Sequence, residues 1–137
     1  MYLADLSHDY LPARQFVPLG IGYLASYSKS IFGEKVEFRL FKSVERLLDK
    51  CEGREPDLVG FSNYTWNERL NNFAGGRLKK KFPELPIVMG GPNIALDEKG
   101  IGEFLGRYPF VDVYCMNNGE VSFSNIIRHC LEDPTKN

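Results

Sequence analysis

Short apolar runs alternate along this chain with longer stretches whose apolar residues recur every three or four positions. Apolar runs bounded by turn residues are typical of strands, and the wider spacing is typical of helices. The predicted strands are residues 2–6, 36–41, 58–62, 87–89 and 111–116. The predicted helices are residues 18–32, a stretch capped by Ser43 that ends near 53, a stretch from about 66, and residues 96–107 and 119–131. This regular alternation predicts one parallel sheet with helices on both faces.

Five such units predict a flavodoxin-like (Rossmann-like) α/β domain of three layers, with a five-stranded parallel sheet in the order 2-1-3-4-5. We expect the domain to occupy residues 1–131, and residues 132–137 to be a tail or the start of a linker. In open sheets of this class, ligands bind in the crevice outside the carboxyl ends of the strands. The loops after strands 1, 3, 4 and 5 are therefore where functional residues are expected.

Composition narrows the range of partners. The chain of 137 residues has a net charge of −1 and a pI of about 6.1, which argues against nucleic acid as a partner. No apolar stretch approaches the ~18 residues of a membrane span, so no membrane partner is expected. Cys51, Cys115 and Cys130 lie far apart and form no Cys-x-x-Cys pair, which favours a reduced, cytoplasmic location.

A glycine pattern near the start of the first helix matches the dinucleotide fingerprint GxGxxA. The segment is Gly20-Ile-Gly22-Tyr-Leu-Ala25. In the fingerprint the first glycine follows strand 1 directly, whereas here a loop of about a dozen residues intervenes. No acid closes strand 2 to bind a ribose, because Phe41-Lys42 stands there. Nucleotide binding is therefore disfavoured, and the glycines are expected to allow close packing or the approach of a flat ligand.

Two other ligand classes of this fold also lack their residues. A phosphoacceptor receiver needs an aspartate after strand 3 and a lysine after strand 5, where this chain has Ser62-Asn63 and Asn117-Asn118. A flavodoxin needs a Ser/Thr-rich phosphate loop after strand 1, but residues 7–17 contain one serine and no threonine. Neither activity is predicted.

The remaining candidate chemistry lies in the edge loops. His8 follows strand 1 beside Asp5 and Asp9, and it is either a metal ligand oriented by a carboxylate or an ordinary loop residue. Aromatic residues in or near these loops either pack against the domain or form a wall for a large planar cofactor. These aromatic residues are Tyr10, Tyr64 and Trp66.

Four segments, taken in order, resemble the N-terminal cobalamin-binding domain of cobalamin-dependent radical S-adenosylmethionine enzymes. They are Pro18-Leu-Gly-Ile-Gly-Tyr-Leu-Ala25, Pro56-Asp-Leu-Val-Gly-Phe-Ser62, Ile87-Val-Met-Gly-Gly-Pro92 and Asn118-Gly-Glu-Val-Ser-Phe123. The resemblance implies that a corrinoid, cobalamin, lies across the carboxyl edge of the sheet. The cofactor-binding residues it implies are Ser7, His8, Pro18, Gly20, Gly22, Ser62, Asn63, Tyr64, Thr65, Gly90, Gly91, Pro92, Asn117, Asn118, Gly119 and Glu120.

The chain departs from the wider cobalamin-binding pattern at two places. Cobalamin domains of the methionine synthase type carry Asp-x-His-x-x-Gly, whereas Asp5-Leu-Ser-His8 is one residue longer and lacks the glycine. The resemblance therefore implies no protein ligand to cobalt, and no metal-binding residue is predicted. Asn117-Asn118 replaces the usual glycine-rich start of the last segment.

The resemblance also implies what lies outside this chain. Radical chemistry needs a Cys-x-x-x-Cys-x-x-Cys site for a 4Fe-4S cluster, which the three separated cysteines cannot form. The cluster and S-adenosylmethionine are therefore expected only in the parent, a methyltransferase or a cyclase-type enzyme whose C-terminal radical domain is the expected protein partner. By itself the domain is expected to bind rather than catalyse. The alternative is a vestigial domain that serves only as a structural or interaction scaffold.

Overall fold

The computed structural model describes residues 1–8 and 17–132, and these form one α/β domain. The strands are β1 (Tyr2–Ala4), β2 (Arg39–Phe41), β3 (Val59–Ser62), β4 (Ile87–Gly90) and β5 (Val113–Cys115). The helices are α1 (Leu19–Phe32), α2 (Val44–Gly53), α3 (Glu68–Lys81), α4 (Glu98–Arg107) and α5 (Gly119–Glu132), with a 3₁₀ turn over Gly33–Lys35. The predicted fold is confirmed.

The sheet is parallel throughout and has the predicted order β2-β1-β3-β4-β5. Its register places Leu3 between Leu40 and Gly60, and Gly60 beside Val88. The chain crosses from one side of β1 to the other between β2 and β3. The central strands β1 and β3 therefore end at the point where this fold class binds ligands.

Each face of the sheet carries its own apolar core, which accounts for the three layers. Helices α1 and α5 cover one face, where Ile21, Phe123 and Ile127 pack on the sheet. Helices α2, α3 and α4 cover the other face, with Leu47 and Leu78 fully enclosed. Every described strand residue of β1 is buried, as expected for a central strand of a parallel sheet.

Local residue choices explain where the helices begin and end. Gly33, with φ of 57°, ends α1 in a conformation that residues with a Cβ rarely adopt. Ser43 caps α2 as predicted, because its Oγ accepts a hydrogen bond from the Arg46 N–H at 3.4 Å. Asp97 caps α4 in the same way, accepting from the Gly100 N–H at 3.0 Å.

Helix α3 starts two residues after the predicted position of about 66, and one of its aromatic residues is exposed. The helix begins at Glu68 rather than near Trp66, because Tyr64 and Asn67 close a tight turn just before it. Phe73 lies three positions after Leu70, which packs against the core, but its side chain is 54% exposed and lies under the Arg77 guanidinium. A cation–π contact of this kind can stabilise an aromatic side chain that stays at the surface.

None of the described helices is long and apolar enough to span a bilayer. The expected loop over residues 7–17 falls mostly outside the described residues, which exclude 9–16. Tyr10 and Asp9 lie in that segment. Of the expected tail, residues 133–137 also lie outside the described range, and residue 132 is the last of α5.

Candidate functional site

A cavity of about 270 Å³ opens at the carboxyl edge of the sheet, between α1, α5 and the strands. It lies on the α1/α5 face, beside the ends of β1, β3, β4 and β5. Its location is therefore the crevice in which open α/β sheets bind ligands.

The floor of the cavity is apolar and contains a glycine at its centre. Leu3, Gly60 and Val88 are neighbours across three strands and all line the cavity. A Cβ on Gly60 would lie 2.7 Å from Leu3 Cδ2, so any side chain there would force Leu3 to move. Glycine at this central strand position keeps space above the sheet.

The walls are supplied by the first turns of α1 and α5. Gly20 lines the cavity from α1, and a Cβ built on it would meet no atom within 4 Å. Gly119 and Phe123 line it from α5. Among the lining residues that the structure describes, Glu120 alone carries a charged side chain.

Beside the cavity, a group of buried and half-buried polar residues ties the edge loops together. We call it the asparagine cluster. It comprises Asp5, Ser62, Asn63, Asn67, Asn71 and Asn93. The Ser62 hydroxyl donates to Asp5 Oδ1 at 2.6 Å, which joins the ends of β1 and β3. Asn71 Nδ2 donates to the Ser62 carbonyl at 2.8 Å and so joins α3 to the end of β3.

The ends of β3 and β4 are joined by a second set of bonds in the cluster. Asn63 Nδ2 donates to the Asn93 carbonyl at 3.0 Å and to the Tyr114 hydroxyl at 3.2 Å. The Tyr114 hydroxyl donates in turn to the Gly91 carbonyl at 2.8 Å. Burial raises the pKa of Tyr114, which keeps this hydroxyl protonated and able to donate.

Gly91 is required by this loop rather than by a ligand alone. Its φ is +132°, and a Cβ there would lie 2.4 Å from the Asn63 carbonyl oxygen. The family resemblance implies that Gly91 is a cofactor-binding residue. The structure gives a different reason, since the backbone of β3 already occupies the space that a side chain would need.

A carboxylate extends the hydrogen bonding to the far side of the β4 loop. Glu68 accepts from the Tyr108 hydroxyl and, at 3.3 Å, from Asn93 Nδ2. The hydrogen bond from Tyr108, followed by that from Asn93, holds the pKa of the Glu68 carboxyl below its usual value. A carboxylate in that state accepts from both groups and keeps the Asn93 side chain oriented.

Two aromatic rings stand at the mouth of the cavity. The rings of Tyr64 and Trp66 stack with centroids 4.4 Å apart and an angle of 7° between their planes. Tyr64 lines the cavity, and Trp66 is 58% exposed. The pair therefore presents a flat apolar surface to solvent beside the opening.

The predicted cofactor-binding residues divide between those at the cavity and those beside it. Those that line it are Gly20, Ser62, Tyr64, Gly90, Gly91, Asn117, Asn118, Gly119 and Glu120. Those that do not are Ser7, His8, Pro18, Gly22, Asn63, Thr65 and Pro92. All of the former lie on α1, α5 or the loops and ends of β3, β4 and β5.

The residues outside the cavity have other positions. Ser7 is buried and its hydroxyl donates to the Lys42 carbonyl at 3.5 Å, beside β2. Pro18 precedes α1, and its carbonyl accepts from the Gly22 N–H at 3.0 Å. Thr65 and Pro92 are exposed. His8 is half-buried, and no three His, Cys, Asp or Glu side chains in the described ranges are grouped to hold a metal ion.

Sequence reasoning missed the apolar part of the cavity. The missed lining residues are Leu3, Ile21, Leu24, Gly60, Phe61, Val88, Met89, Cys115 and Phe123. One signal was available, because a glycine inside a strand often marks a close approach of backbone or ligand. Gly60 stands between Val59 and Phe61 in the centre of β3.

Two known proteins are similar to this chain in sequence, and both are methyltransferases. The chain is 29% identical over 124 residues to the cobalamin-dependent radical SAM methyltransferase TokK of Streptomyces tokunonensis. It is 30% identical over 128 residues to a 2-(S-pantetheinyl)-carbapenam-3-carboxylate methyltransferase of Streptantibioticus cattleyicolor. The resemblance to the cobalamin-dependent radical S-adenosylmethionine enzymes is confirmed. The matches include 86% and 90% of this chain but only 18% of each relative, and no family model matches.

Solved structures agree on the fold. A cobalamin-binding protein from Desulfitobacterium hafniense aligns with 94% of this chain and 57% of its own, with a TM-score of 0.65 and 16% identity. A CheY-like protein, tadZ, from Pseudomonas aeruginosa aligns with 94% of this chain and 97% of its own, with a TM-score of 0.64 and 15% identity. At these identities the likeness shows the shared flavodoxin-like fold alone.

Proposed function

We propose that this chain is a cobalamin-binding module of a protein related to the radical S-adenosylmethionine methyltransferases. The observation that carries the proposal is the open cavity at the carboxyl edge, in a chain whose relatives include a cobalamin-dependent enzyme. The residues predicted from the family segments contribute to its walls on α1 and α5 and at the ends of β3, β4 and β5.

The size of the cavity suits part of a corrinoid. Pockets that enclose a whole drug-sized ligand measure about 300–1,000 Å³, and this one measures about 270 Å³. A small planar portion of the cofactor would enter between Gly20 and Phe123, above Gly60. The larger ring would lie outside, across the edge and against Tyr64 and Trp66.

Exposed apolar side chains stand at the starts of α1 and α5, the two helices that wall the cavity. Val17 and Leu19 at the start of α1 are 74% and 62% exposed, and Val121 at the start of α5 is 58% exposed. In the binding proposal these side chains would add apolar contact area beside the cavity.

Among the described residues that line the cavity, the one charged side chain is that of Glu120. Glu120 lies in the first turn of α5, where its carboxylate complements the helix dipole and opposes an incoming anion. The same carboxylate would accept hydrogen bonds from amide or hydroxyl groups, which a corrinoid carries at its periphery. In the proposal, Glu120 would accept hydrogen bonds from the amide periphery of cobalamin, and the phosphodiester of the cofactor would lie away from this carboxylate.

The rest of the proposal concerns the whole protein. Bound cobalamin supplies the cobalt chemistry, while this chain would hold it, orient it and shield one side from water. The 4Fe-4S cluster, S-adenosylmethionine, a C-terminal radical domain and a cytoplasmic location all belong to that wider proposal. Whether the parent is a methyltransferase or a cyclase-type enzyme is decided by its substrate, which this domain would not contact alone.

One observation favours the alternative of a structural scaffold. Gly91, part of the segment that resembles the family, is explained by the Asn63 backbone without any ligand. A chain could keep this glycine for its fold after losing the cofactor. If the domain serves only as a scaffold, its role does not require the cavity.

The experiment is a titration of the purified protein with hydroxocobalamin, followed by its absorbance and by co-elution on gel filtration. Gly20→Phe places a bulky side chain at the cavity wall, where no atom obstructs it, so affinity should fall about tenfold or more. Gly22→Phe is the matched control, because Gly22 also has open space but does not line the cavity. Equal affinity in the two variants would contradict the cavity as the cobalamin site. If neither the wild-type protein nor its full-length parent binds cobalamin, the structural scaffold is favoured.

A further inference from the structure

Asn67 stands at the centre of the asparagine cluster, although it does not line the cavity. Its side chain is fully buried. Oδ1 accepts from the Tyr64 N–H at 2.9 Å and from Asn71 Nδ2 at 3.1 Å. Nδ2 donates to Ser62 Oγ at 3.3 Å and to Asp5 Oδ1 at 3.4 Å. Both ends of the amide are therefore in use.

The orientation of this amide is fixed by its neighbours. The backbone N–H of Tyr64 can only donate, so it must face Oδ1. The Asp5 carboxylate can only accept, so it must face Nδ2. An aspartate at position 67 would turn a carboxylate oxygen towards Asp5, and an alanine would leave the Tyr64 N–H without this partner.

The turn that Asn67 closes is the one that carries the two aromatic rings. Its side chain accepts from the Tyr64 N–H, and its own N–H donates to the Tyr64 carbonyl at 3.2 Å. Trp66 lies inside the closed turn and stacks on Tyr64. The position of both rings at the cavity mouth thus depends on one buried side chain.

We infer that Asn67 is a positioning residue for the corrinoid, holding the 64–67 turn so that Tyr64 and Trp66 face the ligand. This inference rests on the proposed function. The bond to Asp5 adds a second link, because Asp5 follows β1 directly and fixes the turn to the centre of the sheet. Removing the amide should loosen the rings without altering the cavity floor.

The test uses a swap of donor and acceptor. Asn67→Asp places a carboxylate directly against that of Asp5, and we expect hydroxocobalamin affinity to fall about tenfold. Trp66 is the single tryptophan of the chain, so its fluorescence reports on the turn. In the variant its emission should shift to the red, and its side chain should become more accessible to quenching by acrylamide. The double variant Asp5→Asn with Asn67→Asp reverses the polarity of the pair and should restore both affinity and emission. Asn72→Asp, exposed on the same helix, is the matched control and should change neither.

The outcomes are distinguishable. If the wild-type protein binds and Asn67→Asp binds equally well with unchanged Trp66 emission, this inference is wrong and the proposed function stands. If the wild-type protein does not bind, the proposed function fails, and the inference about the corrinoid fails with it. If Asn67→Asp does not fold, Asn67→Ser and the double variant carry the same comparison, and a double variant that folds without regaining affinity contradicts the inference.

Discussion

Two regions meet at the carboxyl end of β3, and they are built in opposite ways. The asparagine cluster fills its space with side-chain amides whose hydrogen bonds join the loops. The cavity beside it is kept open by glycines at positions 20, 60 and 119. The cluster gives the edge a fixed shape, and the cavity gives it room. Substitutions in the cluster should therefore change stability, and at Asn67 binding as well, whereas substitutions at the cavity mouth should change binding alone.

The largest expected effect comes from breaking the junction between β3 and β4. Gly91→Ala places a Cβ 2.4 Å from the Asn63 carbonyl oxygen at a φ of +132°. We expect the free energy of unfolding to fall by about 3 kcal/mol or more, because strain and overlap act together. Urea denaturation measures the loss. Gly76→Ala, in α3 with open space around it, is the control and should stabilise by about 0.5–1 kcal/mol.

A pH experiment probes the apolar core on the face opposite the cavity. Burial raises the pKa of the Cys51 thiol to about 11, on the face opposite the cavity. The unfolded thiol ionises near 9, so this contribution to stability is complete below that pH and is lost as pH rises towards 11. The loss should be about 2–3 kcal/mol. Denaturation of the wild-type protein and of Cys51→Ala between pH 8 and 11 isolates this loss of stability. If the free energies of unfolding of the two proteins change with pH in parallel, the raised pKa of Cys51 is contradicted.

Removing one hydroxyl from the junction should have a smaller effect. Tyr114→Phe takes away the donor to the Gly91 carbonyl and one acceptor of Asn63 Nδ2. The expected loss is about 1–2 kcal/mol, typical of buried polar groups that lose a partner. Tyr23→Phe, 61% exposed on α1, should lie within experimental error. Similar values for the two variants would show that the hydroxyl of Tyr114 contributes little.

The smallest effect on stability is expected at the mouth of the cavity. Trp66→Ala removes an exposed ring and should change the free energy of unfolding by about 0.5 kcal/mol or less. Its effect should instead be a weaker affinity for hydroxocobalamin, measured by absorbance titration. Phe73→Ala, similarly exposed on α3, is the control for loss of an aromatic ring. A large loss of stability in Trp66→Ala would mean that the ring supports the cluster.

The fold was predictable because it depends on patterns that are local in sequence. Ser43 and Gly33 act within a few residues of themselves, and the apolar runs specify buried strands without reference to the rest of the chain. The cluster was not predictable in this way. Asp5, Ser62 and Asn67 meet only after three elements pack, and no spacing in the sequence expresses that meeting.

The cavity was predictable only in part. Its polar rim follows from the loops at strand ends, so residues such as Glu120 and Gly90 were found. Its floor depends on which strand residues share a face, and Gly60 is its single sequence signal. Gly91 was predicted to bind the cofactor, whereas the structure shows the Asn63 backbone against it, and a glycine in a sequence does not reveal whether a ligand or the chain itself approaches it.

The parallel order of the sheet has a consequence for how fast the domain acquires its structure. No described strand is joined to its partner by a hairpin, since Tyr2 pairs with Val59 and Val88 with Val113, each across at least one helix. The chain must close these long loops before the first sheet hydrogen bonds can form. The conformational entropy of the loops is therefore lost early in folding. Helices α1 and α5 can form quickly by themselves, but the sheet cannot grow from a local nucleus. Refolding is therefore expected to be slower than that of a helical bundle of equal length, with the assembly of β1 against β3 as the step that sets its rate.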